Sequence, residues 1–376
     1  MSESAIFVVN PGSSSLKFGI YSQALGNEKL LLSGSADRIG QSDGTLELRD
    51  ADQRIVRTEK LFFKSEGDAL VHLIQWLREF SKIKPSAIGH RIVHGGPHLT
   101  YHQLITPSLL IELKLCTHLA PLHTPVSLKL IEVIGRMYPM VAQYACFDTA
   151  FHTTLPESAA RFAIPRELFA EGIRRYGFHG LSYESIVFQL GQELPERTVI
   201  AHLGSGASLV ALKNGISVDT TMGLTPTGGI PMETRSGDLD PGVLLYLMRV
   251  KQMDVKALES MLIHQSGLKA VSDSDGDMRT LLDTADAGDL KAKLAIDIFC
   301  IAVRKVIAAY TAVLGGIDLL VFTGGIGEQS QRIRSMIGSG LGFLNLKERV
   351  FPSQEDVQIA RHCREMMTKE TKSLPS

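Results

Sequence analysis

The sequence predicts an α/β protein of two domains, and three observations carry that prediction. Short β-branched and aromatic runs broken by Gly/Ser turns open the chain and return about half a chain later. Apolar residues at helical spacing fill stretches between such runs. The longest helical run is followed at once by a strand-like segment, and strands and helices mixed through both halves call for α/β architecture.

Taken in order, residues 5–9 are apolar, stop at Asn10-Pro-Gly-Ser-Ser-Ser and resume as Leu16-Lys-Phe-Gly-Ile-Tyr, which reads as strand, turn, strand. Ser65 and Asp68 are placed to cap a helix whose Leu70, Leu73, Ile74 and Leu77 make one apolar stripe. Residues 87–93 and 141–147 are strand-like, and a helix is expected to begin near Ser182. Thr198-Val-Ile-Ala-His-Leu-Gly-Ser-Gly-Ala-Ser-Leu-Val repeats the strand, turn, strand pattern and suggests two halves on one plan. Asp240-Pro241 is a helix start, because an Asp cap precedes a proline that needs no donor at the first helical position. The run 290–314 predicts a long helix with Ala295, Ile298, Phe299, Ala302, Val306, Ala309, Tyr310 and Val313 on its apolar face and Gly315-Gly316 as its stop. Residues 317–322 then read as a buried strand entering Thr323-Gly-Gly-Ile-Gly-Glu.

Composition narrows the function. In 376 residues, 39 Lys and Arg stand against 40 Asp and Glu, a formal charge of −1, with 44% hydrophobic residues. Such a balance gives no long-range field for nucleic acid or anionic lipid, so neither nucleic acid nor membrane is expected as a partner. Cys116, Cys146, Cys300 and Cys363 are too scattered for a zinc site or redox dithiol and are expected to be buried thiols. No apolar run approaches a membrane span and no secretory leader pattern opens the chain, so a cytoplasmic location is expected.

Three Gly-rich turns, at Gly12, at Gly204 and Gly206, and from Gly324 to Gly327, follow strand-like runs. Backbone N–H groups in such turns converge on anions, and glycine allows a phosphate close access. None continues as Gly-Lys-Ser/Thr and none is a dinucleotide fingerprint, so nucleotide is expected at hairpin turns rather than at a P-loop helix. His90, His94, His98 and His102 recur every four residues, but Gly95-Gly96-Pro97 forbids the helix that would make them a metal face. Asp273-x-Asp275-Gly-Asp277 has its glycine too early for a calcium loop. Arg91 and Arg235 offer planar forks suited to carboxylate or phosphoryl oxygens. Both flank Gly-rich stretches, so their removal is expected to leave the fold intact. Asp148 ends a strand, where α/β sheets bind ligands. His179 stands between Phe178 and Gly180, just before a helix.

These residues lie in blocks that together resemble the signature sequences of the acetate kinase family: Asn10-Pro-Gly-Ser-Ser-Ser-Leu-Lys-Phe, His90-Arg-Ile-Val-His-Gly-Gly, Phe147-Asp-Thr-Ala-Phe-His, Tyr176-Gly-Phe-His-Gly, Thr221-Met-Gly-Leu-Thr-Pro, Thr234-Arg-Ser-Gly-Asp-Leu-Asp-Pro and Phe322-Thr-Gly-Gly-Ile-Gly-Glu. The blocks keep the family order over most of the chain. The resemblance implies the fold of actin-like ATPases and sugar kinases, two duplicated ribonuclease-H-like domains with an active-site cleft between them, acting as a homodimer. The domains would be 1–149 with about 357–376, and 150–356. The implied reaction is reversible transfer of the ATP γ-phosphoryl group to acetate, giving acetyl phosphate and ADP with Mg²⁺, for which Mn²⁺ could substitute.

The resemblance also assigns roles. Arg91 and Arg235 would hold carboxyl and phosphoryl oxygens, His179 would donate to a phosphoryl oxygen, and Asp148 would orient its neighbours rather than act as a base. Val93, Leu122, Phe178 and Pro226 would form the acyl pocket, with Arg91 on the carboxylate. Propionate kinases tend to carry a smaller residue at the position of Val93. Ser13, Ser15, Lys17, His202, Gly204, Ser205, Gly206, Asp277, Arg279, Gly325 and Gly327 would contact nucleotide or phosphate. Asn10 and Glu355 would lie near Mg²⁺, a hard cation that takes oxygen ligands. Ser205 replaces a usual Asn and Tyr183 a usual His, and a stretch that usually precedes the terminal block Pro352-Ser-Gln-Glu-Asp-Val-Gln-Ile-Ala is missing. The alternatives are a propionate kinase, an actin-like ATPase module without carboxylate kinase activity, and a catalytically impaired homologue.

Overall fold

Uninterrupted apolar sequence at residues 5–9 makes a strand buried on both faces, and the first sheet grows from it. The computed structural model describes residues 4–12, 15–23, 28–80, 83–344 and 346–373. They fall into two units, Met1–Ala150 with Gln354–Ser376, and Phe151–Ser353. Glu355 and Asp356 therefore belong with the first unit, whereas the sequence assigns them to the second.

The first unit holds β1 (Ser4–Pro11), β2 (Ser15–Ser22), β3 (Leu30–Asp37), β4 (Thr45–Asp50), β5 (Ile55–Lys60), β6 (Lys84–Ile92), β7 (Gln103–Leu104) and β8 (Ala142–Phe147). They form one sheet in the order β5-β4-β3-β2-β1-β6-β8-β7. The pairs from β1 to β5 are antiparallel, whereas β1, β6 and β8 run parallel. The edge strand β5 is exposed throughout and carries Arg57, Glu59 and Lys60, charges that discourage edge-to-edge pairing.

In the helix Glu66–Phe80, Leu70, Leu73, Ile74 and Leu77 are all buried with Phe7, Val9, Phe18 and Ile88, as the stripe predicts. Its start is fixed by Ser65 Oγ, which accepts from Asp68 N–H, and by Asp68, whose carboxylate accepts from Lys64 N–H. The helix Glu355–Ser373 contacts β1 and β6, and Gly89 on β6 makes room for it. A Cβ at that position would lie 2.4 Å from Ile359 Cγ2 and 2.7 Å from Cys363 Sγ.

The second unit holds β9 (Arg197–Leu203), β10 (Ala207–Lys213), β11 (Ile216–Thr220), β12 (Leu319–Thr323) and β13 (Lys347–Val350), in the order β11-β10-β9-β12-β13. Its first three strands pair antiparallel and the rest parallel, which repeats β3-β2-β1-β6-β8 of the first sheet. The short echo between the two Gly/Ser turns is thus the visible part of a duplicated topology.

Two expectations are corrected. The long helix spans Leu290–Leu314 and ends at left-handed Gly315 as expected, but its buried face is Ala292, Ala295, Ile296, Phe299, Cys300, Val303, Ile307, Tyr310 and Leu314. Ile298 and Val313, assigned to that face, are 37% and 54% exposed, and Ala309 is exposed as well. The helix is apolar almost all round, so periodicity alone could not phase it. The third Gly-rich segment is not a hairpin turn: β12 runs into a short helix, Gly324–Gln329. The four cysteines are buried thiols, none in a disulfide. Among the described residues, no helix is long and apolar enough to cross a membrane.

Candidate functional site

The parallel strands of the first unit deliver its site residues side by side. Asn10 lies near the carboxyl end of β1, Arg91 near that of β6, and Asp148 just after β8, so adjacent strand ends converge as open α/β sheets do where they bind ligands. The Arg91 fork grips Asp148, with Nε donating to the two carboxylate oxygens at 3.2 and 3.0 Å and Nη2 donating at 2.7 Å. Its Nη1 donates to Asn10 Oδ1 at 3.1 Å and lies 3.4 Å from a Glu355 oxygen. Asn10 Nδ2 in turn donates to Asp356 at 2.7 Å, with Glu355 more distant at 3.4 Å.

Burial works against charge on Arg91, but the carboxylates of Asp148 and Glu355 outweigh it and hold its pKa above the ordinary arginine value. Burial pushes the Asp356 carboxyl up, Asn10 draws it back, and neighbouring Glu355 raises it further. The Arg91 and Asp148 side chains are only 16% and 1% exposed. Removing Arg91 is therefore expected to cost stability, which its place beside a Gly-rich stretch does not reveal, because truncation takes the paired cation from a buried carboxylate. Lys17 pairs with Asn10 across the β1–β2 hairpin and is exposed. Gly12 N–H closes that turn on the Ser15 carbonyl at 2.8 Å, and Ser13 lies outside the described residues. Asn10, Asp148, Glu355 and Asp356 offer hard oxygen donors, and three carboxylates outnumber Arg91 and Lys17, so the group fits Mg²⁺.

Three of the four histidines of the 90–102 run take separate partners. His90 Nε2 bonds Gln143 Oε1 at 2.7 Å, and burial lowers its pKa to about 4. His94 Nδ1 accepts from Gly96 N–H and His102 Nδ1 from Phe147 N–H, while His98 is exposed.

In the second unit the site forms around the β9–β10 turn, where Gly204 N–H bonds the Gly206 carbonyl at 3.1 Å. His179 precedes the helix Gly180–Leu190 with a left-handed backbone, φ 58°, a conformation unusual for a non-glycine residue and concentrated at functional positions. Its ring stacks on His202 at 4.2 Å with planes 18° apart. His179 Nδ1 bonds Ser208 Oγ at 2.8 Å, and His202 Nδ1 bonds Ser182 Oγ at 2.8 Å. A Cβ built on Gly206 would lie 3.5 Å from His179 Nε2 and 3.6 Å from Arg235 Nη1, so these two donors converge above the turn. On Gly204 it would lie 3.9 Å from His202 Nε2 and 3.8 Å from the Gly325 nitrogen.

Other expected residues are less closely gathered. Arg235 Nη1 donates to the Pro226 carbonyl at 3.0 Å, and Ser205, whose carbonyl accepts from Glu233 N–H, is exposed. Asp277 caps the helix Met278–Asp286 and pairs with a 90% exposed Arg279, whose guanidinium holds the Asp277 carboxyl below its usual range. Gly325 is exposed, whereas Gly327 is buried, with a would-be Cβ 3.5 Å from the Phe322 backbone. Val93 is buried and Leu122 44% exposed in the first unit; Phe178 is buried and Pro226 half-buried in the second.

Sequence reasoning missed Asp356, Ser182 and Ser208, and Glu328, which accepts from Gly324 and Ser353 N–H. Two acids opening a helix read as partners of its dipole, and serines inside a strand or helix give no signal at all.

Residues 5–370 match the acetokinase family. The chain is 40% identical to the acetate kinase of Sulfurovum sp. strain NBC37-1, over 96% of this chain and 93% of that one. A crystal structure of a propionate kinase from Francisella tularensis superposes with a TM-score of 0.89 at 36% identity, covering 97% of this chain and all of that one. The Porphyromonas gingivalis acetate kinase structure superposes with 0.85 at 31% identity over the same shares. Matched along nearly its whole length by family, sequence and structure, the chain belongs to the acetokinase family.

Proposed function

We propose that the chain transfers the γ-phosphoryl group of ATP to acetate, reversibly, giving acetyl phosphate and ADP. The observation that carries this reading is the Arg91 fork at the end of β6, held by Asp148 and Asn10 within an acidic group. A carboxylate acceptor is already a nucleophile at neutral pH and needs no base, so the work is positioning and charge stabilisation. Asp148 then acts as an orienting group: it fixes the guanidinium plane that receives acyl or phosphoryl oxygens.

His179 Nε2 and Arg235 Nη1 converge at the Gly206 turn and donate to oxygens of the phosphoryl group, where charge is spread in the transition state. His202, Gly204, Ser205, Gly206 and Gly325 line the phosphate side of that turn, with Lys17 and Ser15 at the β1–β2 turn. Asp277, Arg279 and Gly327 complete the nucleotide contacts. Mg²⁺, when bound, neutralises phosphate charge, and Asn10 and Glu355 would hold it. Val93 and Leu122 of the first unit are assigned to the acyl methyl group, and Phe178 and Pro226 of the second carry the same assignment from the family blocks.

The exposed apolar side chains Leu290, Leu294, Ile298, Ile301 and Val313 on the long helix, with Tyr246 and Val250 on or just after the helix Pro241–Arg249, suit a homodimer contact. A cytoplasmic location fits a consumer of ATP. Propionate is the second acceptor to test, because the Francisella tularensis propionate kinase matches over this entire fold. The deciding experiment traps acyl phosphate with hydroxylamine from acetate, propionate and butyrate with Mg-ATP. Hydroxamate formation from acetate is expected. ATP hydrolysis that ignores acetate and yields no hydroxamate would point to an ATPase module instead.

A further inference from the structure

The imidazole of His179 is held from behind by two hydroxyls that no expected role includes. Ser208 Oγ lies 2.8 Å from His179 Nδ1 and 2.5 Å from the phenol oxygen of Tyr183. Tyr183 and Ser208 are both fully buried. Tyr183 sits in the first turn of the helix Gly180–Leu190, and its ring packs with Phe151 and His152 and in a cluster with Ile186, Ile200 and Val210. Ser208 is on β10, beside the turn whose Gly206 faces His179 Nε2.

Resting on the reading of His179 as a phosphoryl donor, we propose that Tyr183 and Ser208 are positioning residues, a hydroxyl relay that keeps the His179 proton on Nε2. The direction of the relay follows from donor strength. A phenol is far more acidic than an aliphatic hydroxyl, so Tyr183 donates to Ser208 Oγ. Ser208 has a single hydrogen, which it then donates to the Nδ1 lone pair. An imidazole that accepts at Nδ1 carries its hydrogen on Nε2, the nitrogen that faces the Gly206 turn together with Arg235. His179 can then donate to a phosphoryl oxygen while neutral, with no tautomer change before each turnover. The stacked His202 is held in the same way through Ser182, which itself accepts from Ser353 Oγ at 3.1 Å.

The test labels histidine with ¹⁵N in the full chain and reads ring tautomers at pH 8, with His179 assigned by loss of its signals in His179→Gln. Wild-type protein is expected to show the Nε2–H form. Tyr183→Phe and Ser208→Ala should shift His179 toward a mixture and lower kcat by about 10–100-fold, the scale found for outer partners that orient metal-ligating histidines. KM for acetate and ATP should stay unchanged, and Ser208→Thr, which keeps the hydroxyl, should restore both tautomer and kcat. A wild-type His179 protonated on Nδ1, or a tautomer indifferent to both substitutions, overturns the relay. A tautomer that shifts while kcat holds leaves the relay standing and overturns instead the donor role of His179.

Discussion

Replacing Arg91 with alanine tests the first-unit site in both stability and chemistry. The wild-type fork makes three hydrogen bonds to Asp148, one to Asn10 and an ion pair with Glu355. Truncation leaves the Asp148 carboxylate, 1% exposed, without its cation, and breaking one side of a buried pair destabilises by about 3–5 kcal/mol. For a unit of this size that corresponds to a melting temperature lower by roughly 6–20 °C. Arg91→Ala/Asp148→Asn removes the stranded charge as well, so the double variant should be more stable than Arg91→Ala, with a coupling of about 1–3 kcal/mol in the cycle. Thermal and urea denaturation of the four proteins supply the cycle. Hydroxamate assays below the melting range should show turnover down by at least ~10² in both variants, the scale for losing an oxygen-stabilising donor. An Arg91→Ala protein that melts with the wild type, or a double variant no more stable than the single one, refutes the buried-pair argument; unchanged turnover removes Arg91 from the site.

Other outcomes follow from the same geometry. Arg235→Ala should cut turnover by at least ~10², the scale for losing an oxygen-stabilising donor; wild-type turnover would exclude it. Glu355→Ala should raise the Mg²⁺ requirement, read as a shifted Mg²⁺ titration of turnover, and an unaltered titration would take Glu355 away from the metal. His152 is buried and neutral, its Nε2–H donating to the Phe178 carbonyl, and burial lowers its pKa to about 4. The unfolded chain binds that proton first as pH falls below about 6.5, so this group should withdraw about 3 kcal/mol of stability by pH 4; urea midpoints that stay flat from pH 7 to pH 4.5 would contradict it. Val93→Ala should narrow or reverse an acetate preference over propionate of roughly ten-fold, the worth of one methylene in an apolar pocket, and an unchanged ratio would return Val93 to the ordinary core.

The sequence by itself determined the local elements. Asp240 and Pro241 start a helix and Gly315 stops one because capping is chemistry between near neighbours. The family blocks likewise singled out Arg91, Asp148 and His179 as candidates, because each block is a short continuous string. Tertiary structure decided what those strings touch. Asp356 meets Asn10 across 346 positions of chain because a helix from the end of the sequence packs beside Gly89. Ser208 stands behind His179 because the hairpin register pairs it with His202, whose ring stacks on His179. The phase of the helix Leu290–Leu314 was also beyond the sequence: with apolar residues on most of its circumference, only the neighbours it packs against select which stripe is buried. Hydrogen bonds and packing across long loops depend on the distance between side chains in space, and one-dimensional spacing carries no record of that distance.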